Sequence, residues 1–133
     1  MKVKRFGVSL EEPVLKELDD LVAHHKYPNR SQAIRHLIKN SSVKEKVDNN
    51  KLVAGALVLV YDHHKRDLSN KLTSVQHDYH HLILSTQHVH LSHELCLETI
   101  ALRGKAKDLI KISDEIIGIK GVKHGQLVIA GLE

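Results

Sequence analysis

The segment formed by residues 2–10 constrains the fold more than any other part of the chain. Its side chains alternate, so that Phe6, Val8 and Leu10 share one face of an extended segment, which is typical of a β-strand. The next strand pattern begins only at Leu52. A single short strand is not stable alone. We therefore expect this strand to pair with the same strand of a second copy of the chain.

Two helices are predicted to follow the strand. Glu12 and Pro13 suit the first turn of a helix, because acidic side chains favour its N-terminal end and proline is tolerated there. The apolar stripe of this helix consists of Val14, Leu15, Leu18, Leu21 and Val22. Pro28 interrupts the helical pattern, and Asn29 or Ser31 can cap a second helix. The buried side of that helix is predicted to carry Ala33, Ile34, Leu37 and Ile38.

The composition turns polar after residue 41, and we place a domain boundary between residues 48 and 49. The predicted elements of the second domain, 49–133, are strand 52–60, a helix that starts near Asp62 and carries His77, strands 83–91 and 96–103, helix 105–119 and strand 122–130. This β-α-β-β-α-β order predicts a ferredoxin-like split sandwich. The fold class is therefore α+β. Such a sheet leaves one face uncovered, so a tetramer built from ribbon dimers is expected.

The cysteine count, the hydropathy and the net charge limit the cellular location and the partners that we expect for this protein. The chain has 1 cysteine, which excludes an internal disulfide, and no apolar stretch long enough to span a membrane. We therefore expect a cytoplasmic protein without a membrane partner, in which a reducing environment keeps Cys96 as a thiol. The net charge of +4 favours an anionic partner.

Histidines and the cysteine are concentrated between residues 77 and 96. His88 and His90 are two apart on a predicted strand and so leave the same face, and Cys96 opens the next strand. Imidazole and thiolate donors suit a late first-row divalent metal. His77 is a candidate fourth ligand, although its helix position does not show whether it reaches the others. Tetrahedral coordination would indicate zinc, whereas a planar set would indicate nickel or copper, and spacing does not choose between them.

Three functions are compatible with these candidate ligands. A metalloenzyme would leave one coordination position open for water, but no carboxylate stands at an obvious general-base spacing. A nickel storage protein or metallochaperone would share the site but leave Arg5 and Ser9, on the polar face of the predicted strand 2–10, without a role. A regulator of the same architecture that senses copper or cobalt also remains open.

The strand, helix, turn, helix pattern resembles the ribbon-helix-helix family of DNA-binding proteins. The resemblance includes the second-helix opening 29–35, which reads Asn-Arg-Ser-Gln-Ala-Ile-Arg. It implies an antiparallel ribbon in the major groove, a mode used by β-ribbon readers. The side chains that it directs to base edges are Arg5, Gly7 and Ser9. It also places Arg30 and Ser31, at the helix N-terminus, against phosphate.

The whole chain closely resembles the NikR family of nickel-responsive repressors. The motifs that carry the resemblance are 61–68, 76–77, 88–90, 96–98 and 121–125. The resemblance implies a homotetramer in which the second domain is ACT-like and binds one nickel(II) per subunit in a square plane. The implied ligands are His88, His90 and Cys96 of one subunit with His77 of a neighbour. It further implies a repressor of operator double-stranded DNA, no enzymatic activity and no small-molecule substrate.

The remaining predicted site residues belong to the surroundings of the metal site, to the DNA contacts and to an interdomain ion site. Glu98 and Gln76 are predicted to act in the outer shell of the metal site, where Glu98 would orient a ligand imidazole. The resemblance places Lys65 and Arg66 on the DNA backbone. Members of the family often carry a carboxylate pair at an interdomain ion site. The matching positions here are Gln32 and His36, so the ion preference of that site would change.

Overall fold

The computed structural model describes residues 2–132 and divides into two compact units between Ser41 and Ser42. This division lies inside the second helix, α2 (Arg30–Asp48). The boundary predicted after residue 48 coincides with the end of α2, whereas its last turns cluster with the second unit because Val47 packs against that unit's core. No helix among residues 2–132 is long and apolar enough to cross a membrane.

The first unit begins with residues 2–11, which take no regular secondary structure, followed by α1 (Glu12–His24). The turn after α1 is closed by a hydrogen bond from the backbone N–H of Tyr27 to the carbonyl of Val22 at 3.0 Å. Lys26 takes a left-handed conformation there, with φ of 56°. A lysine thus occupies a position that usually favours glycine or asparagine.

The helix α2 is capped by Asn29, one of the two residues predicted for this role. Its side-chain Oδ1 accepts a hydrogen bond from the backbone N–H of Gln32 at 2.9 Å. Arg30 forms a two-point ion pair with Asp19 of α1, with N···O distances of 2.8 and 3.0 Å. The hydrogen bond from Arg30 lowers the pKa of Asp19.

The first unit has almost no core of its own. Among its described residues only Ala33 is buried, while Phe6 is 75% and Val8 58% exposed. The predicted strand at residues 2–10 has no strand partner within residues 2–132, so its pairing with a second copy stays a prediction.

The second unit has the predicted element order. Its elements are β1 (Leu52–Asp62), α3 (Arg66–Asp78), β2 (Ile83–His90), β3 (Leu95–Lys105), α4 (Ala106–Ile117) and β4 (Val122–Ala130). The strands form one antiparallel sheet in the order β2-β3-β1-β4, as expected for a ferredoxin-like domain. The predicted start of α3 near Asp62 was wrong, because Asp62 still pairs with Leu95 in the sheet.

One face of the sheet is covered by α3 and α4. Alternate residues of β1 and β3 point into this core, which also includes Leu109, Ile112 and Ile116 of α4. The opposite face is largely uncovered, and its Val89 and Val128 are 42% and 57% exposed. Because β2 is an edge strand, its histidines stand at the margin of the covered face.

Candidate metal centre

Three of the four predicted ligands are neighbours at the edge of the sheet. In the β2–β3 register, His88 pairs with Glu98 and His90 pairs with Cys96. Directly paired residues point to the same face, so these four side chains lie together on the helix-covered side. The rings of His88 and His90 are stacked with centroids 5.3 Å apart. Both histidines are exposed and therefore available to a ligand.

Cys96 is fully buried between β1 and β2. It pairs with Tyr61 in β1, and its thiol donates to the Tyr61 carbonyl oxygen at 3.5 Å. Burial raises the pKa of Cys96 above that of a free thiol. The side chain is therefore a protonated thiol at neutral pH, and a metal bound through this sulfur would have to displace the proton.

Glu98 is a buried carboxylate, 8% exposed, that joins the sheet to α3. One of its oxygens accepts from the Tyr61 hydroxyl at 3.0 Å, and the other accepts from the Gln76 amide at 2.7 Å. Burial, with the nearby Glu98 charge, raises the pKa of Tyr61 far above its usual range, so its hydroxyl remains a donor. These bonds hold Gln76, and with it the last turn of α3. Orientation of a ligand imidazole by Glu98 stays a prediction.

His77 lies in the last turn of α3, whereas the other three predicted ligands lie on β2 and β3. It borders a cavity of about 330 Å³, and the remaining lining residues are Thr73, Gln76, His80 and Ile83. Its nearest aromatic ring is that of His80, with centroids 6.2 Å apart. Within residues 2–132 of one chain, no three His, Cys, Asp or Glu side chains are arranged as a metal-ligand set.

Three histidines that were not predicted as site residues, His63, His64 and His93, form a chain of contacts that reaches His90 through His63. The His63 ring lies 4.6 Å from the His90 ring and 4.1 Å from the His64 ring. The Nε2–H of His63 donates to the carbonyl oxygen of His93 at 2.8 Å. Their signal in the sequence is a His-His pair directly after a buried strand. That signal becomes informative only once the loop after β1 is known to meet the β2–β3 turn, where the N–H of His63 bonds to Glu94.

The predicted DNA-contacting residues are all exposed. Gly7 and its two neighbours in the predicted set, Arg5 and Ser9, lie in the irregular segment before α1. Arg30 is exposed but engaged with Asp19, so a phosphate would have to compete with this ion pair. Ser31, Lys65 and Arg66 are also exposed, the last two at the start of α3.

The predicted interdomain ion residues, Gln32 and His36, lie one turn apart on α2 and are both exposed. The His36 ring lies 5.5 Å from the Tyr27 ring. The described residues thus provide an amide and an imidazole at these two positions.

Residues 54–130 match the family described as NikR C terminal nickel binding domain. This range spans most of the second unit and includes all four predicted ligands. The chain belongs to the NikR family. Relatives described as nickel-responsive regulators include a protein from Syntrophus aciditrophicus, 46% identical over 98% of this chain and 95% of its own length. Another, from Pelobacter propionicus, is 50% identical over 93% of this chain and 90% of its own length.

A solved structure supports the fold of this NikR-family chain. The uncharacterized protein TM1266 from Thermotoga maritima superposes with a TM-score of 0.52 at 13% identity. The match covers 62% of this chain and 100% of the other. At that level of identity the likeness concerns the fold alone.

Proposed function

We propose that this chain is a nickel-dependent transcriptional repressor. In this proposal nickel(II), one ion per subunit, promotes sequence-specific binding of operator double-stranded DNA in the cytoplasm. The observation that supports it most is the placement of His88, His90 and Cys96 on one sheet edge, inside the region that matches the nickel-binding domain. The relatives are described as regulators, which supports regulation over catalysis.

The donor chemistry fits nickel. Two accessible imidazoles and one thiol, which binds as the thiolate, are soft to borderline ligands that suit late first-row divalent metals. His88, His90 and Cys96 of one subunit and His77 of a neighbouring subunit would hold the nickel, which would supply coordinate bonds between the two subunits. No complete ligand set forms within residues 2–132 of one chain, and this supports an arrangement in which His77 comes from a neighbouring subunit.

The protein's own contribution is to hold the ligands. Glu98 fixes Gln76, and Gln76 directly precedes His77, so the end of α3 has a fixed position relative to β3. We infer that a ligand set shared between subunits favours the assembly that binds DNA over other assemblies. That difference in stability would couple nickel binding to DNA binding.

The first unit supplies the proposed DNA contacts. Its apolar side chains lack a core within one chain, which supports pairing of residues 2–10 with a second copy. In the resulting ribbon, Arg5, Gly7 and Ser9 read base edges. The phosphate backbone of the DNA is contacted by Arg30, Ser31, Lys65 and Arg66. Two such dimers joined through the second units give a homotetramer.

Operator binding with and without nickel tests this proposal. DNA ligands are selected with nickel-loaded protein, and affinities are then measured by fluorescence anisotropy at fixed salt, since phosphate contacts are salt-dependent. Nickel should tighten binding at least about tenfold, within the usual range of allosteric coupling. Arg5→Ala should abolish sequence preference and leave nickel affinity intact.

Lys16→Ala is the matched control, because Lys16 is an exposed basic residue on α1 outside the predicted ribbon. This variant should retain both sequence-specific DNA binding and nickel affinity. Equal operator affinity with and without nickel would contradict the proposal and favour a storage or metallochaperone role instead.

A further inference from the structure

The end of α3, which carries His77, has an inward and an outward face. Gln76 and Tyr79 are half-buried, whereas His77 and His80 are exposed. Side chains that are three positions apart on a helix lie on the same face. The pair Gln76 and Tyr79 therefore faces the protein, and the pair His77 and His80 faces outward in the single chain.

Tyr79 attaches this end of the helix to α4. Its hydroxyl donates a hydrogen bond to Oε1 of Glu115 at 2.8 Å, and its side chain packs against the core of the second unit. Glu115 lies on α4 between the buried residues Ile112 and Ile116 and the end of the helix. The acceptor of the Tyr79 hydroxyl thus stands on a helix that is itself firmly packed.

This attachment is separate from the hydrogen bond between Gln76 and Glu98. The Gln76 bond runs to β3, whereas the Tyr79 bond runs to α4, and the two residues lie on either side of His77 in the sequence. A segment held at one point can still pivot about it. Attachment at a second point, on a different element, fixes its orientation as well.

The last turn of a helix depends on such attachments, because its carbonyl groups lack partners further along the helix. At the end of α3 the N–H of Tyr79 donates to the Val75 carbonyl at 3.1 Å, and that of His80 donates to the His77 carbonyl at 3.3 Å. Helix ends open more easily than the packed core of a domain. The bond from Tyr79 to α4 therefore limits opening of the turn that presents His77.

We propose that Tyr79 and Glu115 are positioning residues for His77, which they hold in place as a metal ligand. The inference rests on the proposed function, because it takes His77 as a ligand of nickel. The two residues act through the end of α3 and supply no ligand themselves.

Removal of single groups tests the hydrogen bond. Tyr79→Phe keeps the ring in the core and should weaken nickel binding about tenfold, within the range for residues that orient metal ligands. Glu115→Ala should give a similar loss. Glu115→Gln should stay within about twofold of the wild-type affinity, because its amide oxygen still accepts from the Tyr79 hydroxyl. Competition with a chelator of known affinity measures all three variants of the full-length protein.

Asp114→Ala is the matched control, because it removes an exposed carboxylate from the neighbouring position of α4 and should leave nickel affinity unchanged. An equal loss in Glu115→Gln and Glu115→Ala would show that the charge matters and the hydrogen bond does not. That result would overturn the proposal.

Amide hydrogen exchange of the nickel-free protein separates positioning from general stability. In Tyr79→Phe the amides of Tyr79 and His80 should exchange about tenfold faster, since the turn they close opens more often. The amides of β1, which bond within the sheet, should keep their wild-type rates. Faster exchange throughout the second unit would assign the effect to overall stability and overturn the proposal.

His77→Ala distinguishes failure of this inference from failure of the proposed function. If His77→Ala weakens nickel binding and Tyr79→Phe does not, only the positioning role is overturned. If nickel affinity is unchanged in His77→Ala, then His77 is not a ligand, and both the shared ligand set and its positioning are overturned.

Discussion

Cys96 is the residue whose protonation state matters most to the candidate site. It combines complete burial with a position next to two exposed imidazoles, His88 and His90. Burial favours the neutral thiol, whereas metal binding requires the thiolate. In the proposed site, proton release and metal binding would therefore occur on the same atom, the Cys96 sulfur.

Nickel affinity should fall as the pH falls, by about tenfold per unit between pH 8.5 and 7, because one thiol proton is displaced for each ion bound. The raised pKa of Cys96 means that this thiol still holds its proton in this range, which fixes the sign of the effect. Competition with a chelator of known affinity measures the slope. Calorimetry in two buffers of different ionisation enthalpy counts the proton, and a flat affinity profile over this range would contradict the prediction.

Among the elements, α2 combines two different environments. Its N-terminal end is fixed by the Asn29 cap and the ion pair between Arg30 and Asp19, and its C-terminal end by the core contact of Val47. Between them the helix is largely exposed in the single chain. Its stability therefore depends on its ends more than on its middle.

Asn29→Ala should lower the free energy of unfolding by about 1 kcal/mol, because it removes the acceptor for the N–H of Gln32. Asn29→Asp keeps an oxygen at the same place, so its free energy of unfolding should fall much less. Urea denaturation of the full chain, followed by circular dichroism at one fixed protein concentration, compares the two variants. A loss of the same size in both would show that the cap oxygen is not responsible.

At the scale of the whole molecule, both units present apolar surface that one chain does not cover. In the first unit Phe6 and Val8 are exposed, and in the second the open sheet face carries Val89 and Val128. Exposed apolar surface on a sheet face or an unpaired segment is typical of an interface between proteins. A second copy of the chain is the occupant that we propose for each.

Val128→Lys should reduce the assembled mass, because a charged side chain at a buried interface loses its hydration without gaining a partner. Ile110→Lys is the matched control: Ile110 is 37% exposed on α4, away from the open sheet face, and the variant should keep the wild-type mass. Size-exclusion chromatography with light scattering measures both. An unchanged mass for Val128→Lys would exclude this face as an interface.

The sequence by itself determined which segments form strands and helices in the second unit. Periodicity is a local property, so the apolar run from Leu52 and the stripe through Leu109, Ile112 and Ile116 could be assigned without knowing their neighbours. It also predicted that His88 and His90 share one face, because they are two apart on a strand. The start of α3 could not be placed, because the length of β1 depends on pairing with β3.

Only the tertiary structure decided which distant residues meet. The contact of Glu98 with both Tyr61 and Gln76, and the packing of His63 against His90, join segments whose register no local pattern encodes. Register follows from how the whole sheet buries its apolar face against the helices, which is a long-range balance of packing. The presence of the candidate histidine and cysteine ligands is therefore a property of the sequence. Their position beside the buried Glu98 carboxylate is a property of the fold.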